Sequence, residues 1–266
     1  ATDTGKVPNT SATAASSGTD LNGMAVKVAC EKIKLRLKSF LGKTYKLKAT
    51  EIEFLNGSIY CKGKEYSFKS IIKQAYENRI SLSATGFYAT PEIKWDRLKG
   101  KGNPFYYFAY GAAVTEVIID TLTGENRILR VDICHDAGKS INPAIDIGQI
   151  QGGYVQGAGW LTTEELIWNE EGKLMTHAPS TYKIPACSDR PRIFHTNLFH
   201  YEGNKKQTIY RSKAVGEPPL MLGISALMAL NDAIASVGDW DRYALLDTPA
   251  TPEKILFEIQ KQIRGI

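Results

Sequence analysis

One carboxylate is set apart from the other acidic residues of this chain. Residues 213–220 read Lys-Ala-Val-Gly-Glu-Pro-Pro-Leu, which places Glu217 between a glycine and two prolines. Gly216 has access to backbone conformations closed to other residues. Pro218 disfavours helical dihedrals at Glu217, so the glutamate is expected outside the helix that follows. Pro219 carries a fixed φ that suits a first helical turn. An apolar stretch, Leu220 to Val237, comes next. These residue types fix one acidic group, with little backbone freedom, at the mouth of a buried helix. A carboxylate so held is suited to general-base work, taking a proton from a reacting group. The same pattern fits an ordinary carboxylate favoured by a helix N-terminus, and the local sequence does not separate the two.

Two further segments could carry chemistry. Residues 7–19 are small and hydroxyl-rich and lead into a helix start. Free N–H groups there make a ready anion site, and small side chains allow close approach of a large ligand. Neither a P-loop nor a dinucleotide fingerprint is present. The second segment, Asp146 to Gly159, places five glycines in an expected helix. Each costs about 1 kcal/mol against alanine. Close packing on another backbone or on a flat ligand would justify that, and both readings stay open. Amide groups at Gln149 and Gln156 could serve a heterocycle.

The elements that must position these residues follow from periodicity. Apolar residues from Leu21 to Leu41 recur every three or four positions, predicting a helix with Asp20 or Thr19 as cap and Gly42 as terminator. Asn56-Gly57 predicts a hairpin over 50–62. A helix is expected from Ser67 to Asn78, with Phe68, Ile71, Ile72 and Ala75 inward. Strands are expected over 103–119 and 128–134, around the turn Thr121 to Glu125. After Asn142-Pro143 the glycine-rich helix runs to about Leu161. A hairpin over 163–177, strands near 193–199 and 208–212, and helices near 220–237 and 252–263 complete the pattern. Long helices alternate with hairpins, so the class is α+β, helices packed on antiparallel sheets.

Composition bounds the rest. At 266 residues and 43% hydrophobic, the chain can bury a large core. No run reads as a membrane span of roughly 18–20 apolar residues, because Asn231 and Asp232 interrupt the longest one. No signal peptide is visible in the small, polar first twenty residues. The chain opens on Ala1 inside what reads as a functional loop, so it is expected to be a piece of something longer. Its four cysteines, at 30, 61, 134 and 187, form no ligand-like cluster, which fits a reducing compartment. A structural zinc site is not expected. Of the net charge of +5, residues 1–80 carry 14 Lys/Arg against 7 Asp/Glu. That excess follows Lys27, Lys32, Lys34, Arg36 and Lys38 and reads as a solvated helix face. Without basic–aromatic interleaving, no nucleic-acid platform is expected.

Taken together, the segments resemble the C-terminal part of the molybdenum-binding domain of xanthine dehydrogenase, within the molybdenum hydroxylase family that includes aldehyde oxidase. The matching runs are Val7–Ser11, Thr13–Ser16, Asp20–Gly23, Ser81–Tyr88, Gly102–Phe105, Asn142–Gln149, Pro179–Pro185, Ser212–Pro219 and Thr248–Glu253. They cover nearly the whole chain in family order. The resemblance implies that Glu217 is the catalytic base. It implies that Thr13, Ala14, Ala15, Ser16 and Ser17 lie against molybdopterin and its molybdenum, with Ala14 and Ala15 facing substrate. It makes Gln149 a molybdopterin contact and assigns no metal ligand to this chain. Gly18 stands where the family often has serine. The segment 44–66 looks more like bacterial members than animal ones.

The implied activity is hydroxylation of a purine, hypoxanthine or xanthine, with water-derived oxygen, in the cytoplasm. An aldehyde oxidase or another N-heterocycle hydroxylase is the alternative, and a non-catalytic structural subunit is a third reading. The 2Fe-2S and FAD groups and the first half of the molybdenum domain are expected in other domains or subunits, with an oligomeric assembly.

Overall fold

The computed structural model describes residues 5, 14, 16–238, 240 and 242–264. They fall into two compact units, residues 17–106 and the rest of the chain, including the segment up to Ser16.

In the first unit a π-helical turn, Gly18–Gly23, runs straight into α1, Met24–Tyr45. Neither Asp20 nor Thr19 caps it; the cap position is Ser17, without a side-chain bond. Gly42 does not end α1 either. It lies inside the helix, where an added Cβ would come 2.9 Å from the Leu47 carbonyl oxygen. Its own carbonyl accepts from Leu47 N–H at 3.0 Å. The glycine makes room for the returning chain, and Lys46 takes the left-handed cap conformation (φ 52°).

A three-stranded meander follows: β1 Ile52–Leu55, β2 Ser58–Cys61 and β3 Lys64–Ser67. Asn56 and Gly57 both have positive φ, 49° and 77°, as a two-residue hairpin demands. Lys62-Gly63 repeats the device at 50° and 80°, adding a strand that periodicity did not announce. The helix α2, Phe68–Glu77, buries Ile71 and Ala75, but Phe68 is exposed. The core is Leu37, Phe40 and Leu41 of α1 against Ile52, Ile59, Cys61, Ile71 and Ala75.

The basic face of α1 has a structural use. Arg36 donates to the carbonyls of Ser81 (3.2 Å) and Ser83 (2.6 Å), and Lys32 donates to that of Thr85. These cations tie the extended segment 80–90 to the helix. Two short strands, β4 Lys94–Asp96 and β5 Lys101–Asn103, pair farther on.

The second unit is built on β6 Gly111–Ile119, β7 Asn126–His135 and β8 Ile193–Leu198, in that order. β6 and β7 are antiparallel, and β8 lies parallel to β7. Residues 103–110 precede the strand expected to include them. The long helix α3, Pro143–Thr162, begins where Asn142-Pro143 predicts, and the Asn142 side chain caps Ile145 N–H. The hairpin expected over 163–177 narrows to one bridge, Trp168 with Leu174.

Residues 208–212 are not a strand. A 3-10 turn, Ile209–Arg211, replaces it, with Tyr210 and Arg211 both at positive φ. A second 3-10 segment, Pro218–Gly223, leads into α4, Ile224–Ala235, and α5 is Pro252–Arg264. Val131 and Ile133 of β7 pack with Ile150, Tyr154 and Ala158 of α3 and Ala226 of α4. Leu230 and Ile234 pack with Ile255 and Ile259 of α5.

Pro218–Ala235 is, by length and composition, apolar enough to cross a membrane, against the expectation from Asn231 and Asp232. Here it is a core element: Ala226, Leu230 and Ile234 are buried. Asn231 is buried too, its side-chain oxygen accepting from Leu246 N–H at 3.0 Å.

Candidate active site

Glu217 caps the 3-10 segment Pro218–Gly223, so it stands outside α4 as predicted. Its dihedrals, φ −109° and ψ −36°, are nonetheless right-handed helical, against the expected effect of Pro218. Two bonds hold them. Glu217 N–H donates to Ser16 Oγ at 2.9 Å, and the Glu217 carbonyl accepts from Leu220 N–H at 3.0 Å. The side chain is exposed on this unit.

Glycines of α3 fix what comes after Glu217. A Cβ on Gly157 would lie 2.1 Å from the Leu220 carbonyl oxygen, and one on Gly153 would lie 2.9 Å from Pro219 Cβ. From the other side, a Cβ on Gly223 would lie 2.5 Å from Ala158 N. Helix backbone therefore lies on the backbone of Pro218–Gly223 at distances no side chain allows. Gly159 is likewise filled, by Pro185. The other two glycines differ: a Cβ on Gly148 or Gly152 would meet nothing within 4 Å. Close backbone packing thus accounts for Gly153 and Gly157, while Gly148 and Gly152 face open space.

A buried polar frame fixes what comes before Glu217. Arg211 donates to the carbonyls of Asn204, Lys205 and Lys206. Its own carbonyl accepts from Lys139 and Asn204 N–H, both within 2.9 Å. Thr208 Oγ1 donates to the Ser212 carbonyl at 2.6 Å. Lys213 N–H donates to the Ala137 carbonyl at 2.8 Å, and Ala214 N–H to the Tyr107 hydroxyl at 2.8 Å. The Lys213 ammonium meets the Asp136 carboxylate at 2.5 Å, with only 7% and 9% of the two side chains exposed. Burial opposes that ammonium, but its hydrogen bonds to Asp136 and Tyr201 outweigh the penalty and raise its pKa. Beside it, burial lowers the pKa of His135, whose Nδ1 has no hydrogen-bond partner among the described residues.

The structure brings Ser16 and Glu217 together from 201 residues apart. Gln149 is exposed on α3 between the open positions Gly148 and Gly152, and Ala14 is exposed. Thr13 and Ala15 lie outside the described residues. Ser17 belongs to the other unit, where its carbonyl accepts from Leu21 N–H. A cavity of about 360 Å³ lies between α3 and the segment 183–191, lined by Tyr154, Thr162 and Pro185; it includes neither Glu217 nor Gln149. Sequence reasoning assigned no role to Asp136 or Lys213. They are 77 residues apart, and nothing local to either predicts the contact.

Among the described residues no group of three or more His, Cys, Asp or Glu side chains could hold a metal ion. Molybdopterin holds its metal through its own organic ligand, and the exposed Gln149 amide beside the open positions Gly148 and Gly152 fits such a group.

The chain belongs to the molybdopterin cofactor-binding domain family, whose model matches residues 1–191. It is 48% identical over 260 residues to xanthine dehydrogenase/oxidase of Mus musculus and 45% identical over 265 residues to xanthine dehydrogenase of Oryza sativa. In each case it covers 96% of this chain but only 18% of the relative's length. Among solved structures, a Cu,Mo-CO dehydrogenase matches with TM-score 0.78 at 20% identity, over 99% of this chain and 32% of its own. The aldehyde oxidoreductase of Desulfovibrio gigas matches with TM-score 0.71 at 23% identity, over 97% and 24%. These two likenesses concern the fold.

Proposed function

We propose that this chain is the C-terminal part of the cofactor-binding domain of a xanthine dehydrogenase-like molybdenum hydroxylase, with a purine as substrate and Glu217 as general base. The observation that carries the reading is the bond from Glu217 N–H to Ser16 Oγ. It joins the two segments that the resemblance assigns to cofactor and to catalysis. The identity to xanthine dehydrogenases supports the purine over an aldehyde.

Molybdopterin, when bound, supplies the redox chemistry that adds a water-derived oxygen to an electron-poor carbon. This chain's residues do the rest. The Gln149 amide and the segment Thr13–Ser17 hold the organic part of the cofactor. Ala14 and Ala15 leave room for the substrate. The Glu217 carboxylate takes a proton at the reacting oxygen, an aid usually worth about 10²–10⁴ in rate. The exposed Glu217 gains its water-poor surroundings from walls that other segments contribute. The full assembly is cytoplasmic and oligomeric, with 2Fe-2S and FAD groups in other domains or subunits.

The test is metal analysis of the purified holoenzyme together with a panel of xanthine, hypoxanthine, aldehydes and quinoline-type heterocycles. Molybdenum with purine preference supports the reading. Preference for aldehydes or for other heterocycles moves the substrate class, and absence of molybdenum makes the chain a structural component.

A further inference from the structure

We propose that the buried Asp136–Lys213 ion pair sets the position of Glu217, which makes Lys213 a positioning residue for proton transfer. The inference rests on the reading of Glu217 as base. Lys213 precedes Glu217 by four residues, and its ammonium is fixed to Asp136 at 2.5 Å. Asp136 is itself immobilised at the end of β7. Its N–H donates to the Tyr110 carbonyl at 2.8 Å, and its Oδ1 accepts from Gly138 N–H at 2.8 Å. The rings of Tyr110 and Tyr201 flank the ammonium, at 5.0 and 5.9 Å from their centroids. The far end of the segment is held by Ser16. Glu217 thus stands on a short span tied at one end to a rigid strand by a buried charge pair.

Stability alone does not account for such a pair. Charges taken out of water recover little more than their desolvation cost, and apolar replacements are often as stable. What an ion pair adds is registry: the ammonium has one low-energy place, whereas an apolar side chain can slide. Registry matters at a general base, because a shift of about 1 Å can cost 10²-fold in rate.

The experiment is a double-mutant cycle in the holoenzyme between Glu217→Gln and the paired replacement Lys213→Met with Asp136→Asn, which leaves no lone buried charge. The paired variant is expected to keep its molybdenum and melting temperature and its KM within about threefold. Its kcat should fall by about 10–100-fold. In the Glu217→Gln background the same replacement should lower kcat no further, because the two act as one unit. An unchanged kcat in the paired variant overturns the proposal. So does a loss that adds in full to that of Glu217→Gln, or loss of the fold, which would assign the pair to stability. High activity in Glu217→Gln alone would instead remove the base reading on which the proposal stands.

Discussion

The core of residues 17–106 and the support of Glu217 are built by different means. The first is side chain against side chain: Leu41, Ile52, Ile59 and Ile71, fully buried, fill one another's gaps. The second is backbone against backbone, with Gly157 and Gly223 admitting the chain at distances that exclude any Cβ, and with a buried charge pair beside it. An apolar core tolerates small shifts, since volume and patterning decide it. Backbone contact leaves no side-chain freedom to absorb error. Backbone contacts as close recur elsewhere, at Gly86 on Ala25 and at Gly124 on Pro252; beside Glu217 they are joined to a buried charge pair.

Substitutions sharpen that contrast. Leu41→Ala should show the largest effect on stability, about 2–5 kcal/mol, read from denaturant unfolding of the intact protein, with kcat per molybdenum unchanged. A change in kcat at full molybdenum occupancy would break the separation between the two regions. Gly157→Ala sets about 1 kcal/mol of helix propensity against a Cβ 2.1 Å from a carbonyl oxygen. Sterics should win, with a loss of about 1–3 kcal/mol and a fall in kcat. A stabilised, fully active variant would contradict the backbone packing. The identical change at Gly148, where nothing lies within 4 Å, should stabilise by up to about 1 kcal/mol. A loss there would place a ligand or another segment against that face.

His135 gives a smaller, pH-dependent effect. Its folded pKa lies below the ordinary value because it is buried. Between that pKa and about 6.5, the unfolded chain binds more protons than the folded one. Stability is therefore full above pH 6.5 and falls as the pH drops toward the folded pKa. His135→Leu should flatten melting temperature against pH over that window. It should cost little at pH 7, because it also removes a buried Nδ1 that has no partner among the described residues. An unchanged slope would mean that the imidazole is not buried neutral.

Legibility in the sequence followed the range of the interactions. The Asn56-Gly57 turn, the start of α3 at Asn142-Pro143 and the turn between β6 and β7 rest on a few adjacent residues, and each was readable. Gly42 lies inside α1 and does not end it, because its role depends on Leu47 returning over the helix. The strand expected at 208–212 is a 3-10 turn because Arg211 and Thr208 bind carbonyls of their own loop, which competes with a ladder. The cations of α1 read as solvated because their acceptors at 81–85 are backbone carbonyls, which carry no sequence signal. The position of Glu217 outside α4 was legible from its prolines, and Gln149 is singled out by the family run alone. Asp136 was not legible, because a carboxylate after an apolar strand looks like any strand end.

The central claim is that Glu217 acts as the base. Glu217→Gln keeps the shape, the bond from Glu217 N–H to Ser16 and the prolines that follow, but the amide cannot accept the proton. In a holoenzyme matched for molybdenum content, steady-state turnover of xanthine should fall by about two to four orders of magnitude in kcat, with normal folding. Wild-type-like kcat in that variant would remove Glu217 from the mechanism.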